Sequence, residues 1–264
     1  MDIEIPKGFD TSIVDSWWNE TEGMKQRNKK YGIDEEIKEK KKTIFKNIEI
    51  YNKDLNNREK DSIINTMNIK SVEDLIKKEL NILDVSYSGI DNVEQINEIN
   101  KGILEFKKIF SDIKIDGIKT ISITGNSLGV VPIQHESIGI IGSKEKVECF
   151  LRINKDFFNR FSNVEEVNKY IESNYICGQI AAENIKELIW HELWHNLTDK
   201  NKSYDTIISQ IKTLENDKFG NEFSFRGGLN GIEGIAEAGV MYLKGEIISD
   251  YARKIIKKYT GKDI

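Results

Sequence analysis

Residues 179–197 read QIAAENIKELIWHELWHNL, and the rest of the chain has to be built around this stretch. Leu188, Ile189, Leu193 and Leu197 recur at helical spacing, which predicts one principal helix over Gln179 to Leu197, partly buried along that stripe. Inside it His191, Glu192, Leu193, Trp194 and His195 spell HExxH. Helical residues four apart share a face, so both imidazoles reach one ion while Glu192 points beside the first of them.

Zinc is the ion this pattern suits. Zinc held by three protein groups keeps an open position for water, lowers the pKa of that water, and needs a nearby carboxylate to take the proton. His191 and His195 are therefore the expected metal ligands and Glu192 the expected general base. The pattern arises by chance in roughly one chain in a hundred of this length, and two of the chain's three histidines fall inside it. A helix that merely carries two histidines on its surface is the bland alternative. The apolar flanks argue against it, because burying two imidazoles without partners is costly.

A third ligand is required, and two regions offer one. Downstream, Glu233 and Glu237 lie four apart in an apolar helix over Ile232 to Lys244, next to Gly234, Ala236, Ala238 and Gly239, which permit close helix approach. Periodicity does not separate the two carboxylates. Upstream, Cys149 lies in an expected strand and offers a Cys/His/His site like that of peptide deformylases, whose glycine-rich motifs are missing here. The downstream pair is the better expectation.

HELWH at 191–195 followed by Glu233, Gly234, Ile235, Ala236, Glu237 and Ala238 resembles the HExxH and later ExxAEA pattern of certain zincins. These are the metallopeptidases related to anthrax lethal factor and the metallopeptidase-like domains of phage minor head proteins. The resemblance runs over residues 70 to 260, taking in Val85–Gly89, the helix to Phe110 and the strand through Ile153. It implies a zincin-like α+β domain with a small mixed sheet and an active helix, Zn2+ as cofactor, Glu233 as the zinc ligand and Glu237 close behind the site. It also implies a protein or peptide substrate, laid on an edge strand near Val147 to Ile153, and a place in a phage head or another protein assembly. Two positions depart from it: Trp194 stands where the family often has Gly, and Arg226 stands where lethal-factor relatives put an oxyanion-stabilising Tyr seven residues before the ligand Glu. Arg226 is thus expected to be either a guanidinium donor to the oxyanion or a surface charge. A zincin fold kept for assembly with little or no turnover is the alternative.

Further out, residues 1–69 read as a helical extension whose Trp17 and Trp18 pack against the protein or a partner, and 70–264 as the metallopeptidase domain. Ser71, Asn92 and Asn163 are expected helix N-caps, with strands over Ile118–Thr124, near Ser137–Ile141 and near Val147–Ile153, and a last helix over Ile247–Tyr259. His135 is expected in an exposed loop, and Tyr204 and Tyr242 in packing. Helices, then strands, then helices point to α+β. With 39 basic against 44 acidic residues and a formal charge of -5, the chain offers no basic face for nucleic acid beyond Lys38, Lys40, Lys41 and Lys42 on a solvated helix. Cys149 and Cys177 are too few for a disulfide framework. The acidic start with Pro6 and Gly8 has no Sec signal, and no apolar run spans a membrane, so a cytoplasmic or virion-associated protein is expected.

Overall fold

The computed structural model describes residues 69–122 and 131–264. The helical extension expected over residues 1–69, with Trp17 and Trp18, lies outside them except for Ile69. The described elements are α1 (Ile69–Leu80), β1 (Asp84–Ser86), α2 (Val93–Ile109), β2 (Gly117–Ile121), β3 (Ile133–Ile138), β4 (Glu148–Asn154), α3 (Lys155–Phe158), α4 (Val164–Ile176), α5 (Ile185–Asp199), α6 (Tyr204–Leu214), α7 (Gly231–Leu243) and α8 (Asp250–Thr260), with a 3-10 turn Phe219–Glu222 before α7. Helices flanking a small mixed sheet make this an α+β architecture, as expected.

The strand order is β1-β2-β4-β3. The first three run parallel, and β3 pairs antiparallel with β4, Ile133 opposite Ile153 and Ile138 opposite Glu148. Ile118, Leu151, Ile153 and Ile133 turn inward onto the helices and are fully or almost fully buried. The edge beside α5 is therefore β3, and the expectation that the strand near Val147 to Ile153 forms it is corrected: β4 is sandwiched between β2 and β3. The third strand itself is displaced from Ser137–Ile141 to Ile133–Ile138. Ile133 supplies the buried anchor, whereas Ile140 and Ile141 are exposed beside a turn at Gly142, whose φ is +79°. His135 sits mid-strand and is not in a loop; its side chain is only 4% exposed.

α5 is shorter at its start than the apolar run suggests. The Asn184 side chain accepts from the Glu187 backbone N–H, and the Glu187 carboxylate accepts from the Glu183 N–H, so a reciprocal cap begins the helix at Ile185. Ala181 and Ala182 are buried but precede the helix. α5 packs against α2 on one side, α7 on another and β3 on a third, which buries it all round. Asn92 and Asn163 cap α2 and α4 as expected. Ser71 lies inside α1, which already runs from Ile69, and does not precede the helix as expected. Asn230 caps α7 and Ser249 caps α8, so the two last helices start close to where expected. Among the described residues no helix is long and apolar enough to cross a membrane.

Candidate metal centre

α5 and α7 cross so that one face of each meets the other, and the polar residues of those faces collect at one point. His191, His195 and Glu233 each present a ligand atom within 4.8 Å of the others, a cluster able to hold a metal ion. The Nε2 atoms of His191 and His195 are 3.1 Å apart. Glu233 Oε2 is 3.2 Å from His191 Nε2, and Oε1 is 3.7 Å from His195 Nε2. A glycine allows this approach: Gly239 of α7 lies directly against the Trp194 ring of α5, whereas Gly234 faces Phe219 and Gly220 of the 3-10 turn.

Glu237, one turn after Glu233, lies behind His191 rather than in front of it. Its Oε1 accepts from His191 Nδ1 at 2.7 Å. That bond fixes the ring and leaves Nε2 aimed at Glu233 and His195, the arrangement by which an outer carboxylate orients a ligating histidine. The other carboxylate oxygen, Oε2, accepts from Ser224 Oγ at 2.8 Å and from the Ala181 N–H. A charge buried to 1% exposure is thus fully partnered.

Glu192 stands beside the cluster. Its Oε2 accepts from the His135 backbone N–H at 2.7 Å, and its Oε1 lies 4.0 Å from His191 Nε2. Arg226, in the loop before α7, is anchored by its own N–H to the Gln179 carbonyl. Its Nε donates to Glu233 Oε2 at 2.7 Å, and its Nη2 is 3.7 Å from Glu192 Oε1. Arg226 is therefore not a free surface charge; it bridges the two carboxylates. Cys149 is buried in β4, its Sγ 4.0 Å from Ser137 Oγ, and is not in the cluster. The third member of the cluster thus comes from α7, not from the upstream strand.

The electrostatics follow from packing charges this tightly. Burial and Arg226 push His191 down, but its bonds to Glu233 and Glu237 outweigh them and raise it to about 9 in the metal-free protein. Burial pushes Glu233 up, and the two imidazoles hold it far below the usual carboxylate range. Glu237 is lowered in the same way, burial being outweighed by His191, Ser224 and Arg226. Burial opposes the Arg226 charge, and Glu233, Glu192 and Glu237 more than restore it.

Four contributors escaped sequence reading: His135, Ser137, Asp199 and Ser224. His135 and Ser137 carried a faint signal, since they alternate with Gln134 and Glu136 after buried Ile133. Ser224 carried none. Tyr204 packs against the small cluster of Val147, Cys149 and Ile207, and Tyr242 against the main core, as expected. Comparison of the chain with family models, curated proteins and solved structures gives no match.

Proposed function

We propose that this chain is a zinc-dependent peptidase of the zincin type, with His191, His195 and Glu233 as zinc ligands and Glu192 as general base. The observation that carries the proposal is the convergence of two imidazole nitrogens and a carboxylate, with a second carboxylate 4.0 Å from one of them. The donor set fits zinc, which takes nitrogen and oxygen ligands at about 2.1 Å in a tetrahedron, so that donors stand about 3.4 Å apart. The closest donor separations are 3.1, 3.2 and 3.7 Å. When bound, zinc supplies a Lewis acid that acidifies water and polarises a carbonyl.

The chain's own groups supply the rest. Glu192 Oε1, not engaged by the strand, takes the proton from the attacking water and returns it to the leaving amine. Arg226 is close enough to aim a guanidinium N–H at the oxyanion that develops on the carbonyl carbon, the role the resemblance gives to a Tyr. An extended peptide lies along β3. The His135 N–H turns toward Glu192 and away from β4, so the backbone groups of Ile133, His135 and Ser137 face outward, and those of Ile133 and Ser137 are the ones offered to a substrate strand.

A second reading keeps the fold for assembly, in a phage head or an injected complex, without turnover. It draws on Arg226, whose hold on Glu233 and nearness to Glu192 neutralise both carboxylates. One experiment separates the two. The full chain, analysed for metal by mass spectrometry, is incubated with a denatured protein mixture, and new peptide termini are sequenced against a Glu192→Gln control. Zinc with termini absent from the control supports the peptidase, zinc with no new termini supports the assembly protein, and no zinc even after reconstitution overturns both.

A further inference from the structure

Away from the metal, three polar side chains form a closed group between the edge strand and the end of α5. His135 Nε2 is 3.2 Å from Asp199 Oδ2 and 2.9 Å from Ser137 Oγ, and Ser137 Oγ donates to Asp199 Oδ2 at 2.8 Å. His135 and Ser137 alternate on one face of β3, and Asp199 is the last residue of α5. Seven residues, about 10.5 Å of helix, separate Asp199 from Glu192. β3 is therefore tied to α5 at two points: by side chains at Asp199, and by the His135 N–H at Glu192 Oε2, 2.7 Å away.

The group is not arranged as a nucleophile and base. Asp199 takes the Ser137 hydroxyl proton in its hydrogen bond, so the imidazole has none to remove. Nor is it there for stability alone. His135 Nδ1 is buried without a hydrogen-bond partner among the described residues. An unsatisfied buried polar atom costs ~1–3 kcal/mol, which an apolar side chain at this inward strand position would avoid. A residue that breaks the local rule points to a task elsewhere.

We infer that His135, Ser137 and Asp199 are positioning residues: they hold the β3 edge against α5 so that the His135 backbone N–H engages Glu192 Oε2 and leaves Oε1, the oxygen on the side of His191 and Arg226, to accept the proton. The inference rests on Glu192 acting as the base. A carboxylate with one oxygen pinned loses rotational freedom about its last torsion, and pre-orientation of this kind is what a proton acceptor gains from outer contacts.

The test reads the strand contact directly. The chain has three histidines, and only His135 follows a glutamine. Full-length protein labelled with 13C-carbonyl Gln and 15N-His therefore gives a single carbonyl-filtered His135 amide signal. In the wild type this proton is expected downfield, and Glu192→Gln shifts it upfield, which identifies the bond. Asp199→Ala is expected to shift it upfield, to speed its exchange at least ~tenfold, to leave zinc stoichiometry unchanged, and to lower kcat ~10 to 100-fold with KM unchanged. Asp199→Asn, which keeps an acceptor for His135 and Ser137, restores both in part. Should Asp199→Ala not fold, Ser137→Ala is expected to move the same readouts in the same direction by less. An unmoved His135 amide in the folded variant overturns the inference, and so does a moved amide with unchanged kcat. If the wild type cleaves nothing, the peptidase reading fails, and the amide signal alone decides whether the clamp exists.

Discussion

The indole of Trp194 fills the space that a side chain at position 239 would need: a Cβ on Gly239 would fall 2.2 Å from its Nε1 and Cε2. Trp194 is on α5 and Gly239 on α7, so the two helices interlock at this point, and the indole also meets Phe106 of α2 and Phe110 at its C-terminal cap edge-on, centroids 5.8 and 5.0 Å away. The bulky fourth residue of the HExxH motif is thereby absorbed into the junction of three helices. Its counterpart is Gly239, the residue that follows the second motif, two beyond Glu237.

That complementarity sets a stability prediction. Gly239→Ala forces a methyl into a rigid, fully buried ring, with a loss of ~1–3 kcal/mol or more, read as a Tm drop of roughly 2–4 °C per kcal/mol for a chain near this size. Combining it with Trp194→Phe is expected to cost less than the sum of the two single changes, because the smaller ring relieves the same clash. Strictly additive losses in thermal unfolding would mean that the two residues do not press on each other.

Glu233 and Glu237 differ in which nitrogen of His191 they meet, Nε2 at 3.2 Å and Nδ1 at 2.7 Å. Glu233→Ala is expected to abolish stoichiometric zinc binding. Glu237→Ala is expected to weaken it ~10 to 100-fold, the usual loss when an outer carboxylate no longer orients a ligand. Chelator competition on the two purified variants checks the order; a larger loss in Glu237→Ala would reverse the assignment.

The contrast shows what was legible in the sequence. His191 and His195 sit four apart on one helix, so their common face, with Glu192 beside it, follows from local geometry alone. Periodicity left Glu233 and Glu237 as a pair, which the resemblance alone ordered; the crossing of α5 and α7 brings Glu233 to Nε2 of His191 and Glu237 to Nδ1. The contact of His135 with Glu192 was not legible, because it spans 57 residues and depends on which strand closes the sheet. The start of α5 was misjudged for a local reason. Asn184 and Glu187 form a cap that ends the influence of the apolar run before them.

Cys149 and Cys177 are expected to differ in reactivity. Burial, only partly countered by Ser137, pushes the Cys149 thiol up to about 11, whereas Cys177 is exposed. Iodoacetamide at pH 8 is expected to modify Cys177 and spare Cys149 in the folded chain, with both labelled in denaturant. Cys149→Ser is expected to leave zinc affinity unchanged, as peptide mapping and chelator competition would show; a metal loss there would restore Cys149 as a ligand.

The proton on His191 gives the last prediction. In the metal-free protein its pKa is raised from 6.5 to about 9, burial being outweighed by its bonds to Glu233 and Glu237, so it is charged at neutral pH. Its pairing therefore stabilises the metal-free fold fully below the unfolded pKa of about 6.5, and that contribution is lost as pH rises through about 9. Zinc requires the neutral ring, so binding must displace the proton from Nε2 while the Nδ1 proton stays on the Glu237 bond. Apparent zinc affinity is then expected to rise about tenfold per pH unit below that pKa and to level off above it. Calorimetric titration at pH 7 in two buffers of different ionisation enthalpy should count about one proton released to buffer per zinc bound. A count near zero would mean that His191 is already neutral, and that Glu237 holds it through an uncharged imidazole.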